Sequence, residues 1–485
     1  MEMAEESCVS VVNRGGTEHT FRADELAGAK QGAKNHLLRV VHCPLAHGRA
    51  QTIKCTNIKL SSEAQVEHQV ARINQAATAR RPLLEPTVWV LVNPAAGTKQ
   101  APNHLRRHVL PLLRSIGMPH SVTTLQRPRH CCQLALSADL STVSAILLLG
   151  GDGIVSELIT GLARRSDSAI ALCTPLAISP SGTGNGIALS LAAECNGPSC
   201  PLSATLAAIK GATVSLDAVQ YSQPSDADPG DPYDKKKSCC SNDSFRDTAE
   251  MPANPTAKSN GCSSSSHSNY LRIDAQRSLF GALSLSWGLI ADVDIESERL
   301  RSCGPIRFDV QGLYRLLRLR TYGCSLSFLP PQSTQWKCIN LDHCVAVWAM
   351  NMRYASWAHM PAPGARSSDG LLHIVIVRKG SFCCGTCMTI GAIKGGKHVL
   401  RSNVETYRAC AFELQSSASV ETGPRGGGRF SLDGELVASS QAQPVSSNAS
   451  VMCAPNGLPF SYAKPIRAEV MPSALRVCHL RQGSM

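Results

Sequence analysis

The run Ile146-Leu147-Leu148-Leu149-Gly150-Gly151-Asp152-Gly153 constrains this chain more than any other stretch. Its four leading apolar residues predict a buried strand. Two glycines and an aspartate break it. From Ile154 to Arg165, apolar residues at 154, 158, 159 and 162 return at helical spacing. Strand, glycine-rich turn and helix is the arrangement that offers backbone N–H groups to phosphate. Asp152 is not explained by phosphate binding, because a carboxylate repels that ligand. It fits a group that takes a proton from whatever attacks the phosphate.

Two more turns of this kind follow apparent strands. Val88-Trp89-Val90-Leu91-Val92 runs into Asn93-Pro94-Ala95-Ala96-Gly97, and a third turn reads Pro180-Ser181-Gly182-Thr183-Gly184-Asn185. Glycine there permits positive φ and close approach of backbone to ligand. Three such turns at strand ends in one segment should converge on one face of a sheet and form a nucleotide site. Strands alternate with helices from about 86 to 213, which predicts a parallel α/β layer. No Gly-x-x-x-x-Gly-Lys-Ser/Thr run is present, so this is not a P-loop enzyme.

At 485 residues the chain has room for two or three domains. Residues 1–82 read as an N-terminal extension of short strands ending in a helix from Ser62 to Ala79. A lipid- or partner-docking module and a purely structural extension both fit. Tyr221 to Asn269 is crowded with Ser, Pro, Asp, Asn and Lys and shows no periodicity, so a disordered insertion 221–269 is expected. Strand-like runs then dominate the segment 214–440, at Ala282–Ser286, Cys344–Met350, Leu371–Val377 and Ala409–Leu414. They predict an antiparallel β-sandwich, with helices only at Val310–Arg320 and Cys387–Ile393. Residues 441–485 read as a polar, irregular C-terminal segment.

No run approaches the ~18 apolar residues of a membrane span. The start, Met1 to Glu6, is acidic and lacks the apolar core of a signal peptide. A cytoplasmic protein with free thiols among its 21 cysteines is expected. Cys384-Gly-Thr-Cys387 has zinc-like spacing without a clear second pair, so no metal site is assigned. The net charge of +12 suits an anionic surface. With 5% aromatic residues and no basic–aromatic alternation, an anionic membrane is the better partner and nucleic acid is not expected.

The three turns, in this order, resemble those of diacylglycerol kinase-type lipid kinases. Leu283-Ser-Leu-Ser-Trp287-Gly-Leu-Ile-Ala-Asp292-Val-Asp294-Ile-Glu-Ser-Glu298, then Arg307-Phe308 and Leu319-Arg-Thr-Tyr322-Gly323, narrow the resemblance to sphingosine kinases. Asp433-Gly434-Glu435 resembles the family's C-terminal signature. The likeness implies an α/β plus β fold: a Rossmann-like nucleotide-binding catalytic domain followed by the β-sandwich, which encloses the lipid. ATP and Mg²⁺ would lie between them. Sphingoid-base phosphorylation is the implied activity, with peripheral attachment to anionic membrane. Ceramide or diacylglycerol phosphorylation on the same fold, or a catalytically weak lipid-binding scaffold, are the alternatives.

By the same resemblance Asp152 is the general base. Asn93, Gly151, Gly153, Glu157, Gly182, Thr183, Gly184, Asn185, Arg301, Arg307, Asp433, Gly434 and Glu435 belong to the nucleotide site. Asp294 anchors the polar head of the sphingoid base, whose free amine is cationic; ceramide has no such cation. Phe308, Leu313 and Leu317 line the tail pocket, and His398 matches a lipid-pocket histidine. If 292–294 is a strand, alternation puts Asp292 and Asp294 on one face; Asp292 reads as a cap or supporting group. The turn Ala95-Ala96-Gly97-Thr98 departs from the family in lacking a second glycine and basic residues.

Overall fold

The computed structural model describes residues 8–23, 25–33, 36–46, 49–50, 52–77, 87–97, 99–195, 197, 199–224, 277–304, 306–380, 383–417, 428–439, 460–462 and 464–480. Among the described residues, the N-terminal part has seven short strands and one helix. Strands β1 (Cys8–Val12) and β2 (Glu18–Arg22) pair with each other. A three-stranded sheet holds β3 (Leu26–Gln31), β4 (Leu37–His42) and β7 (Lys54–Lys59), and the two-residue strands β5 (Leu45–Ala46) and β6 (Arg49–Ala50) pair antiparallel. Helix α1 (Glu63–Ala77) buries Val66, Ile73 and Ala77 against this layer, as its spacing predicts. Asn74 fastens it by accepting the Ala29 N–H at 2.7 Å and donating to the Ala29 carbonyl at 3.1 Å.

The parallel layer is built from β8 (Thr87–Val92), β9 (His120–Thr124), β10 (Val143–Gly150) and β11 (Leu176–Pro180). All pair in parallel, in the order β11-β10-β8-β9. Between them run α2 (Ala101–His104), α3 (Leu110–Ser115), α4 (His130–Ser137), α5 (Asp152–Ala163) and α6 (Ser168–Ala171), then α7 (Gly186–Glu194) and α8 (Pro201–Lys210). Strands buried on both faces explain the unbroken apolar runs. Ile146 and Leu148 pack with α5 on one side, while Ala145, Leu147 and Leu149 pack with α3 and α8 on the other. That second core also takes in Ala27, Val41 and Cys43 of the N-terminal strands. Ala27, Val41 and Cys43 thus fix the N-terminal part to the back of the parallel layer.

The second half opens with β12 (Thr213–Ser222), β13 (Leu279–Gly281) and β14 (Ser284–Gly288), then α9 (Leu289–Glu296) and α10 (Ile306–Leu317). It continues through β15 (Tyr322–Leu329), β16 (Lys337–Met350), β17 (Leu372–Arg378), α11 (Cys383–Ala392), β18 (Val404–Ala409) and β19 (Ala411–Ser416). It ends with β20 (Arg429–Leu432), β21 (Glu435–Ser439) and β22 (Ile466–Cys478). Its strands are antiparallel, as expected, but they do not form a separate sheet. One fifteen-stranded sheet runs from β21 to β9, and β22 is the splice. It pairs antiparallel with β12 and β19 and meets β11 in parallel at Leu176↔Val477. This corrects the reading of the last segment as irregular: 466–478 is a long strand carrying Ile466, Ala468, Leu475 and Val477 into the core.

Two other expectations change. The insertion begins later than 221, because Tyr221 and Ser222 finish β12 and Tyr221 pairs with Leu279; residues 225–276 lie outside the described set. Residues 289–296 are a helix, not a strand, so Asp292 and Asp294 do not share a face. Gly288 makes the change of direction at φ +78°, where a Cβ would lie 2.7 Å from the Val345 carbonyl oxygen.

Candidate active site

The three glycine turns meet. A Cβ on Gly97, which sits at φ +50°, would lie 2.7 Å from the Gly182 carbonyl carbon, and one on Gly182 would overlap the Gly151 Cα. Each turn is fixed by its own asparagine or backbone. Asn93 Oδ1 accepts the Ala95 N–H at 3.0 Å. Asn185, in the left-handed region at φ 57°, accepts the Gly182 N–H at 2.8 Å and donates to the Gly182 carbonyl at 2.9 Å. Both asparagines thus shape the turns they stand in. Thr183 and Gly184 lie between, partly exposed.

Asp152 begins α5 at this convergence and is buried. Its Oδ2 accepts the Gly186 N–H at 2.9 Å and its Oδ1 the Ile187 N–H at 3.0 Å. The carboxylate therefore sits on the positive end of α7. Burial raises its pKa, and those two N–H groups oppose the rise. Such a carboxylate is held in one orientation and keeps enough basicity to accept a proton.

Asp433 and Glu435, on either side of Gly434, divide the work of their motif. Asp433 is buried. It accepts the Ser156 hydroxyl and the N–H groups of Ala282 and Leu283 at 3.2 Å and of Ser284 at 2.6 Å. With its oxygens taken, Asp433 ties α5 to the start of β14 instead of contacting nucleotide, a correction to its expected role. Burial, with Asp152 adding to it, pushes its pKa up to about 6. Glu435 reaches over the first turn of α5, and a Cβ on Gly153 would lie 2.9 Å from its Oε1. A side chain at 153 would push that carboxylate aside. Gly434 is exposed at φ +87° and meets nothing within 4 Å.

Glu157 turns away from the glycine loops. Its Oε1 accepts the Arg129 N–H at 3.0 Å, which caps the start of α4, so a nucleotide contact is replaced by a helix-capping one. Burial raises its pKa, opposed by the backbone donors of Arg129, Cys131 and Cys132.

In the second half, Arg307 pairs with Glu298 and stacks on Phe308, its guanidinium carbon 4.5 Å from the ring centroid. Asp294 is half-buried nearby. Burial lifts its pKa to about 7, with Arg307 opposing and Glu298 reinforcing the shift. Asp292 is buried in a network that sequence reasoning reached only in part. Tyr322 donates to it at 2.7 Å, Arg429 at 3.1 Å, and Arg315 lies 3.6 Å away. Arg315 and Arg429 also engage Glu296. This ties α9, α10 and β20 together and agrees with the supporting role read for Asp292. The side chain of Arg301 lies outside the described set.

Leu313 and Leu317 do not line an enclosed pocket. They are 60% and 79% exposed and form an open apolar stripe along α10 with Ile306, Val310 and Tyr314, while Phe308 is half-buried. The helical spacing was right; which face is covered was not. His398 is buried with Nε2 2.8 Å from the Pro361 carbonyl oxygen. One residue of the site had no signal in the sequence: His104, on α2, has Nδ1 2.9 Å from the Ser181 hydroxyl of the third turn. Among the described residues, no helix is long and apolar enough to cross a membrane.

Residues 87–221 match the diacylglycerol kinase catalytic domain. The chain is 27% identical over 383 residues to sphingosine kinase 1 of Arabidopsis thaliana, covering 72% of this chain and 68% of that one. It is 25% identical over 386 residues to sphingosine kinase 1 of Homo sapiens, covering 73% and 87%. A crystal structure of a putative diacylglycerol kinase from Bacillus anthracis aligns with a TM-score of 0.48 at 16% identity, covering 81% of this chain and 97% of the other.

Proposed function

We infer that this chain, a member of the sphingosine kinase family of diacylglycerol kinase-type lipid kinases, transfers the γ-phosphoryl group of ATP to the primary hydroxyl of a sphingoid base. The observation that carries the reading is the position of Asp152: a buried carboxylate, held by two N–H groups, where three glycine turns touch. The turns at Asn93–Gly97, Gly151–Gly153 and Gly182–Asn185 cradle the phosphates with backbone N–H groups. Asp152 accepts the proton of the substrate hydroxyl as that oxygen attacks phosphorus. Arg307 offers positive charge from the lipid side. Glu435 would hold Mg²⁺, since its carboxylate lies against the first turn of α5 beside Gly153. When bound, the ion neutralises charge on the transferring group.

Asp294 supports the sphingoid base as substrate. Asp294 is a half-buried carboxylate that is ionised above about pH 7 and can then pair with a primary ammonium, which ceramide and diacylglycerol lack. The exposed apolar stripe of α10, on a chain of net charge +12, is the surface by which the protein reaches an anionic bilayer. Incubating the purified protein with labelled ATP and, separately, sphingosine, ceramide and diacylglycerol tests the reading. Label in sphingosine alone supports it; label in diacylglycerol or ceramide alone replaces the substrate, and label in none of the three rejects the activity.

A further inference from the structure

The hairpin 355–359 joins two regions that the reaction must bring into step. On one side it closes over the start of α7. Ser356 forms an isolated β-bridge with Asn185, and the Tyr354 N–H donates to Ser190 Oγ at 2.9 Å. The Ala355 carbonyl oxygen would stand 3.1 Å from a Cβ on Gly184 and 2.9 Å from one on Gly186. The same Gly186 supplies an N–H to Asp152. The hairpin therefore presses on the turn that holds the catalytic carboxylate.

On its other side the hairpin meets the lipid-facing helices. The Met360 N–H donates to the Ile393 carbonyl at 3.1 Å. His359 lies in the field of Asp309 on α10 and of Lys394, two groups that pair at 3.2 Å. Within the hairpin, the Ala355 N–H reaches the His359 carbonyl at 3.0 Å and the His359 N–H reaches the Ser356 carbonyl at 3.1 Å. One side-chain contact spans it: His359 Nδ1 lies 2.8 Å from the hydroxyl of buried Ser356. Burial lowers the pKa of His359, so at neutral pH the ring is uncharged and can accept that hydroxyl.

We propose that His359 is a positioning residue for phosphoryl transfer, acting through Ser356 to hold the hairpin against the N-terminus of α7 and so to set Asp152 when α10 seats on the lipid side. The proposal rests on the reading of Asp152 as proton acceptor. It gives Ser356 and His359 one shared function, which predicts a particular pattern of kinetics. Neither side chain touches phosphate, so the loss should fall on kcat and not on the KM for ATP. Because both act through one contact, their effects should not multiply.

The test measures kcat, KM for ATP and KM for sphingosine in Ser356→Ala, His359→Gln, the double variant and Ser356→Thr, with Asp152→Asn as reference. The expected result is a roughly tenfold fall in kcat in each single Ala or Gln variant. The double variant should fall no further, KM for ATP should stay within about twofold, and Ser356→Thr, which keeps the hydroxyl, should stay within about threefold of wild type. Single losses that multiply in the double variant, an unchanged kcat, or a loss confined to KM for ATP each overturn the proposal. Should Ser356→Ala fail to fold, His359→Gln decides by its own split between kcat and KM, since its ring is only partly buried. If Asp152→Asn turns over normally, it is the base assignment that falls. If Asp152→Asn is inactive while the hairpin variants behave as wild type, the base stands and the positioning role falls.

Discussion

Gly151 and Gly182 meet backbone to backbone: a Cβ on Gly182 would overlap the Gly151 Cα, and one on Gly151 would lie 3.2 Å from the Gly182 Cα. Gly182→Ala should therefore force two of the glycine turns apart. The expected cost is about 1–3 kcal/mol of stability, seen as a lower melting midpoint, and at least a tenfold loss of ATP affinity in a nucleotide-binding titration. A variant that melts and binds ATP as wild type would mean the turns do not close on the nucleotide together.

Asp152→Asn keeps the shape of the side chain and one of its two acceptors for the α7 N–H groups. Turnover should fall by about 10²–10⁴, while ATP affinity changes little because the glycine turns remain. Single-turnover kinetics and nucleotide titration on the same sample separate the two.

Asp294 gives a pH signature with a definite sign. Its carboxyl titrates near 7, so below that pH it is increasingly neutral and cannot pair with an ammonium. KM for sphingosine should rise as pH falls through about 7 and flatten above it. Asp294→Asn should raise KM at high pH, remove that pH dependence, and lower kcat/KM at least tenfold, in line with about 1.5–3 kcal/mol for a charge-assisted bond. A pH profile unchanged by the substitution would remove Asp294 from headgroup recognition.

The α10 stripe can be separated from catalysis. Leu313→Glu with Leu317→Glu places two charges on side chains that are largely exposed, so folding should be unaffected. Binding to vesicles containing anionic lipid should drop several-fold, and wild-type binding should weaken with salt. Turnover of a short-chain, micelle-free substrate should persist. Sedimentation with vesicles at two salt concentrations checks this, and undiminished binding of the double variant would assign the stripe another role.

Removing the insertion tests a boundary. Gln223 is not part of it: its side chain accepts the Ser461 N–H at 2.8 Å and donates to the Ser461 and Lys464 carbonyls at 2.7 and 3.1 Å. Because Tyr221 already pairs with Leu279, residues 226–275 can be replaced by a short turn. Melting temperature and basal turnover should stay near wild type. Cutting from 223 should lower both.

What could be read in advance follows from burial and distance along the chain. The parallel strands and α5 were legible because residues buried on both faces leave unbroken apolar runs, and glycine turns mark their ends. Residues 289–296 misled because an eight-residue helix that starts straight after a strand offers too few repeats to fix its period. Strand 466–478 was hidden by Pro472 at its bulge and by pairing partners far away in sequence. Arg315 and Arg429 gave no signal, since the acids they neutralise stand on another helix. Glu157 was placed in the right neighbourhood, but nothing local reveals that its carboxylate turns to Arg129.

The pairing of Leu176 with Val477 has a consequence for biogenesis. During synthesis the parallel layer emerges with the flank of β11 uncovered, and it stays so until β22 leaves the ribosome. A kinase built this way would acquire its complete sheet only after its second half has also been made.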